Sequence, residues 1–245
     1  RISERFIFFG FWGTKKIIMS TNFGNNFRMK GLLNFFDSIF KKDNDLEKMN
    51  FSLEIGPHTD LETLPPVKDV YVTMLPGGDY KDTADKSGNL VKKGFNPVPH
   101  FPARSINNEE ELKEYVSRCK DQGVKQALVI GGSRDPIGKF DSSYQILETG
   151  FFDGIKIGIA GHPEGSPDIP EQNLEKAMVD KKPYADYIVT QWLLDSQPIV
   201  DFISKQSVPV HVGITGPMKI SSLIKFANIV GAKNSINFLK SNFTK

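Results

Sequence analysis

Seven short apolar runs, each closing on a polar residue or a glycine, constrain this chain more than any other feature. They cover residues 50–55, 69–75, 97–101, 126–130, 155–160, 186–190 and 208–212. In the fifth, IKIGIA runs from Ile155 to Ala160 and is followed at once by Gly161, His162, Pro163, Glu164, Gly165 and Ser166. A short run that is apolar towards both faces reads as a buried parallel strand. Gly161 lets the backbone approach a neighbour closely, and Pro163 and Pro167 stiffen the loop that follows.

Helical sequence lies between several of these runs. Residues 105–111 open a helix with capping residues and first-turn acids; Leu112, Tyr115, Val116 and Cys119 form its buried stripe, and Gly123 ends it. Further helices are expected at 142–148, 170–181, 196–205, 219–230 and 235–241. Strands alternating with helices imply an α/β fold on a parallel sheet. Polar residues or glycines stand at every strand end: Glu54, Thr73, His100, Gly132 with Ser133, His162 with Glu164, Gln191, and Gly213. That suits a closed (β/α)8 TIM-type barrel better than an open sheet with one crevice. Seven strands are one short of closure, so the chain reads as C-terminally truncated, its last strand beyond Lys245.

The first 28 residues show neither helical nor strand periodicity, and the apolar stretch Phe6 to Trp12 is short for a signal peptide. They read as translated upstream sequence, with a start near Met19 or Met29. Residues 29–42 place Leu32, Leu33, Phe36, Ile39 and Phe40 at helical spacing, an amphipathic helix packed on the domain. The domain expectation is therefore an N-terminal extension over 1–48 and a catalytic barrel over 49–245, incomplete at its C-terminal end.

A net charge of +2 gives no ground for a nucleic-acid or membrane-surface partner. Cys119 is the only cysteine, which excludes an internal disulfide and a cysteine-based zinc site and suits a reducing cytoplasm. No run approaches the roughly 20 apolar residues that span a bilayer.

Glu54 sits in FSLEIGP between Leu53 and Ile55. Apolar neighbours raise a carboxyl's pKa, which would make it a general acid near neutral pH. His100 lies among the prolines of NPVPHFPAR, which fix an extended backbone. The glycines of LVIGGSRDPIG match neither a dinucleotide fingerprint nor a P-loop; they suit a flat ligand lying against the backbone. Gln191 ends YIVTQ as a neutral donor and acceptor facing the mouth. The four histidines show no His-x-His pairing, so no catalytic metal is expected; His211, between Val210 and Val212, reads as a core or supporting residue. No GxSxG elbow is present.

Taken in order, FSLEIGP, VYVTMLPGG, PVPHFPAR, ALVIGGSRDPIG, FDSSYQILETG, GIAGHPEGSP and YIVTQWLLD resemble the methylenetetrahydrofolate reductase family of flavin-dependent barrels, from Asn50 to about Phe226. The resemblance implies reduction of 5,10-methylenetetrahydrofolate to 5-methyltetrahydrofolate, in one-carbon and methionine metabolism, with FAD as cofactor and NAD(P)H as reductant. It implies a folate substrate, a homo-oligomer and a cytoplasmic location. Glu54 matches the family's strand-one glutamate, which protonates the folate nitrogen. Thr73, His100, Ile130, Gly131 and Gly132 match positions lining the flavin. Gln191 and Phe226 match the residues that contact folate and nicotinamide, and Lys181 is the candidate for a phosphate contact. Three positions depart from the pattern. Ser133 stands where many members place an aspartate, His162 where a tyrosine often covers the flavin, and Ser166 where a histidine is common. Two further readings stay open: a folate-binding barrel performing another one-carbon transfer, with or without flavin, and a non-catalytic binding or assembly protein.

Overall fold

The computed structural model describes residues 5–9, 50–65, 67–166, 169–193 and 196–215. Among them, eight parallel strands form a closed ring in chain order. They are β1 Arg5–Phe9, β2 Asn50–Ile55, β3 Asp69–Val72, β4 Asn96–Pro102, β5 Gln126–Ile130, β6 Lys156–Gly161, β7 Tyr187–Thr190 and β8 Val210–Thr215. Helices α1 (Tyr80–Lys92), α2 (Glu109–Asp121), α3 (Ser143–Leu147), α4 (Glu171–Lys181) and α5 (Ser196–Ser204) follow β3 to β7 in turn. The helices expected at 29–42, 219–230 and 235–241 lie outside the described residues.

The sequence puts the strand beside the seventh run beyond Lys245; in the structure Arg5–Phe9 lies there. It pairs with β8 from Arg5↔His211 to Phe9↔Thr215 and with β2 from Arg5↔Asn50 to Phe9↔Glu54. Part of the segment set apart as an N-terminal extension is thus a strand of the ring. The physical reason is length: RFIFF is rich in strand-forming aromatic and β-branched residues, but five residues are too few to show a period.

The other runs differ from expectation only at their ends. β3 stops at Val72 instead of running to residue 75, because Pro76 and the left-handed Gly77 (φ 79°) turn the chain towards α1. α1 itself has no counterpart in the sequence reading. Its buried face is Tyr80, Thr83, Ala84, Ser87, Gly88 and Leu90, too polar and small to give an apolar stripe. The hydroxyls are satisfied locally: Ser87 Oγ donates to Thr83 O (2.8 Å) and Thr83 Oγ1 to Thr73 O (3.2 Å). Asp79 caps the helix by accepting from the Lys81 amide at 2.8 Å.

Strand alternation divides the apolar residues into two populations. Outward residues such as Leu53, Ile55, Val70 and Val72 pack with Leu90, and Val129, Ile157, Ile188 and Val212 pack with Leu112, Val116, Ile146 and Ile199 of the helices. Inward residues form their own cluster of Tyr71, Val98, Leu128, Tyr187 and Val189, with Ile130 against it. The barrel is filled, and Glu54 and His100 stand on the inward parity of β2 and β4.

Gly158 of β6 makes room for this filling: a Cβ there would come within 2.4 Å of Tyr187 Cε2. Gly158→Ala should therefore cost about 1–3 kcal/mol through overpacking, read as a lowered denaturant midpoint at unchanged slope. Gly131→Ala, whose added Cβ meets no atom within 4 Å, should stay within about 0.5 kcal/mol of wild type.

Candidate active site

Two polar side chains meet inside the mouth of the barrel. Leu53 and Ile55 take the outward positions of β2, so Glu54 points inward; Phe101 takes an outward position of β4 beside His100, whose ring points inward. Glu54 Oε2 and His100 Nε2 lie 3.6 Å apart, too far for a hydrogen bond, with side chains only 16% and 9% exposed. Neither atom has a hydrogen-bond partner among the described residues.

Burial decides the protonation of both. It pushes the Glu54 carboxyl up to about 8 and the His100 imidazole down to about 4. At neutral pH the pair is a carboxylic acid beside a neutral imidazole, not an ion pair. Glu54 therefore holds a proton that it can deliver, as a general acid must.

The backbone around the pair is fixed from two layers. Tyr115 of α2 donates its hydroxyl to the His100 carbonyl at 2.9 Å. Thr73, just past β3, donates both its amide (3.0 Å) and its hydroxyl (3.2 Å) to Ile55 O. After β5, Gly131 O accepts from the Arg104 amide at 2.9 Å, and Gly132 is left-handed (φ 93°). A Cβ on Gly132 would also press on Pro102 Cβ at 3.3 Å, so this turn requires glycine twice over. Ile130 faces the interior cluster, whereas Ser133 is exposed on the loop beyond.

A second group forms between β6, β7 and α4. The Gln191 amide N–H donates to Gly161 O at 3.0 Å, which sets Gln191 beside the end of β6. His162 is pushed down to about 4 by burial and by the nearby Lys181 ammonium, while its contact with the Gln191 side chain acts the other way. Its Nδ1 is buried without a hydrogen-bond partner among the described residues. Lys181, the last residue of α4, is 8% exposed, and burial lowers its pKa. Ser166 lies in a short antiparallel bridge with Ile169. Phe226 lies outside the described residues.

The structure thus brings together Glu54 with His100, and His162 with Lys181 and Gln191. Thr73 lies just past β3 and residues 130–132 at the end of β5, and Ser133 stands apart. Among the described residues no group of three or more His, Cys, Asp or Glu side chains could hold a metal ion, and no helix is long and apolar enough to cross a membrane. A surface cavity of about 470 Å³ lies between α1 and α2, and one of about 320 Å³ beside Gly77, Tyr80 and Arg134; neither is lined by Glu54 or His100.

The chain is distantly similar to a methylenetetrahydrofolate reductase. It is 24% identical over 191 residues to methylenetetrahydrofolate reductase 1 of Schizosaccharomyces pombe. The match covers 69% of this chain and 31% of that protein, so the chain spans about a third of the length of the relative. No family model matches. Among solved structures, an oxaloacetate acetylhydrolase superposes with a TM-score of 0.46 at 10% identity, over 69% of this chain and 77% of that one. A likeness at that level bears on neither fold nor function.

The sequence reading missed the aromatic floor below the pair. Tyr71 and Tyr187 share the inward parity of Glu54 and His100, and His211 bonds to Tyr71 through Nδ1 at 2.7 Å. The signal was present, since Tyr71 is the inward residue of DVYV once Val70 and Val72 are given the outward face.

The raised Glu54 pKa has a definite linkage. The folded state keeps a proton that the unfolded chain loses near 4.5, so this contribution is fully present below about 4.5 and is lost as pH rises to about 8. His100, held down to about 4, has the opposite slope between about 4 and 6.5. The stability of wild type relative to Glu54→Gln should accordingly fall across pH 4.5 to 8 and level off on either side, measured by urea unfolding at a series of pH values. A flat difference would show that Glu54 titrates as an ordinary carboxylate.

Proposed function

We propose that this chain carries the catalytic barrel of a flavin-dependent reductase that converts 5,10-methylenetetrahydrofolate to 5-methyltetrahydrofolate at the expense of NAD(P)H. The observation that carries the reading is the buried, protonated Glu54 beside a neutral His100 at the carboxyl end of a ring of parallel strands. Opening the methylene bridge of the folate needs a proton on the departing nitrogen, and Glu54 is the group in the mouth that keeps one at neutral pH. The distant similarity to the yeast reductase supports the same substrate class.

The residues present fit an FAD. Nδ1 of His162 and Nε2 of His100 are buried polar atoms in want of a partner, which a large polar ligand across the mouth would supply. Thr73, His100 and the turn of Ile130, Gly131 and Gly132 would hold the ring system, with Gly131 leaving open space beside the backbone. Lys181, with His162, would hold the phosphates, since a buried ammonium favours an anion beside it. When bound, FAD supplies hydride transfer between the nicotinamide and the folate. The chain's own part is to seat both ligands, exclude water with its apolar walls and keep the Glu54 proton in place. Gln191 would orient the folate through its amide; Phe226 would belong to the same ligand surface.

A second reading, another one-carbon transfer on the same folate without flavin, rests on Ser133, an exposed hydroxyl that cannot supply a carboxylate beside a flavin. The two separate in one preparation. Purified gently, the protein should show a flavin absorbance spectrum or take up added FAD; a colourless protein that takes up none sinks the reductase reading. With flavin bound, Glu54→Gln should slow the folate half-reaction by about 10²–10⁴-fold and leave reduction of the flavin by NAD(P)H unchanged.

A further inference from the structure

Below Glu54 and His100 the interior holds three rings drawn from distant parts of the ring of strands. Tyr71 of β3 is the register partner of Glu54, and its ring meets the His100 ring in a T-shaped contact at 6.2 Å and 73°. Across the interior its hydroxyl bonds to His211 Nδ1 of β8 at 2.7 Å. The His211 ring stacks on Tyr187 of β7 at 4.4 Å and 22°. Tyr187 in turn lies against Gly158 and donates its hydroxyl to Ala127 O at 3.3 Å. All three rings are buried, at 1%, 6% and 0% exposure.

We infer that the Tyr71–His211 hydrogen bond is a positioning lock under the site. It pins the Tyr71 ring as the floor on which the Glu54 carboxyl and the His100 imidazole stand, and it closes the barrel to water from below. The inference rests on the proposed function, because it concerns the acid that function uses. An unpinned ring could rotate about its two side-chain torsions; a hydroxyl tied to a strand on the other side of the interior cannot. With Tyr71 as the donor, Nδ1 accepts and the ring's own proton sits on Nε2. Tyr71 and His211 then act on the chemistry only through Glu54 and His100.

The groups that could otherwise set the behaviour of Glu54 are few among the described residues. β4 contributes His100 and β3 contributes Tyr71. Tyr187 and His211 face them from β7 and β8. Lys156 of β6 sits with Nζ 5.6 Å from the Tyr187 ring, on the side away from the mouth. β1 sets Phe9 beside Glu54, with Arg5 four residues down its register at Asn50.

The test is direct titration of the Glu54 carboxyl by ¹³C NMR of the whole chain labelled at glutamate, assigned by Glu54→Gln. It needs neither flavin nor folate, so its failure is distinct from that of the reductase reading, which shows in the flavin spectrum. His211→Leu, which removes the partner of the Tyr71 hydroxyl, should lower the Glu54 midpoint by about one pH unit as water reaches the carboxyl. His211→Gln, which keeps an acceptor for the Tyr71 hydroxyl, should restore most of that shift. An unchanged midpoint in a folded His211→Leu protein, or an equal fall in both variants, overturns the lock. If circular dichroism shows that His211→Leu does not fold, Tyr71→Phe removes a single oxygen and is read in the same way: a lowered midpoint supports the lock and an unchanged one overturns it.

Discussion

A closed ring of parallel strands has one interior, and every second side chain of each strand must go into it. Most of this interior is filled by rings and branched chains, so water has little place there. A carboxyl and an imidazole admitted to such a space cannot both be charged cheaply, because each ion would cost several kcal/mol in lost hydration. The cheaper state is two neutral groups, one keeping a proton and the other refusing one. The architecture sets the acid–base state of Glu54 and His100 before any ligand arrives.

The two sides of the mouth solve the burial of polar groups differently. On the β2–β4 side, the shifts neutralise the pair. On the β6–β7 side, a lysine is buried at the end of α4 and holds the neighbouring His162 neutral by repulsion as well as by burial. One side is thus suited to proton delivery and the other to a ligand carrying negative charge. That asymmetry follows from where the strands end, since the β2 and β4 residues sit within the strands while His162 and Gln191 lie just past theirs.

What the sequence revealed depended on how each signal is encoded. Runs such as QALVI and the apolar setting of Glu54 between Leu53 and Ile55 were legible because burial on one or both faces leaves an apolar record. Capping made α2 and α3 legible: Asn108 accepts from the Glu111 amide at 2.9 Å, and Ser142 with Gln145 forms a capping box. α1 was not legible, because between Tyr80 and Leu90 its buried face is hydroxyls, alanine and glycine, and hydroxyl bonds to carbonyls cannot be seen without the fold. β1 was hidden by brevity. Within the site, the individual residues could be named from strand ends and resemblance, but the pairing of Glu54 with His100 joins residues 46 positions apart. The Tyr71–His211 bond spans 140. No local pattern reports contacts of that kind.

The make-up of α1 has a consequence for how the molecule breathes. Besides the buried Tyr80, Ala84 and Leu90, the helix is tied down by polar contacts: Thr83 to Thr73 O, Lys86 Nζ to Thr59 O at 2.7 Å, and Asp85 to the Arg118 guanidinium at 2.9 and 2.8 Å. Water can replace the half-buried Lys86 and Asp85 contacts at small cost, but not the buried Thr83 bond or the hydrocarbon beside it. α1 is therefore held to the ring by its buried face and is open to water only along its outer one. Thr83 ties the helix to Thr73, and Thr73 in turn holds Ile55 O at the rim of the mouth. A displacement of α1 would reach the β3 side of the mouth through that chain of bonds, from helix to loop to strand.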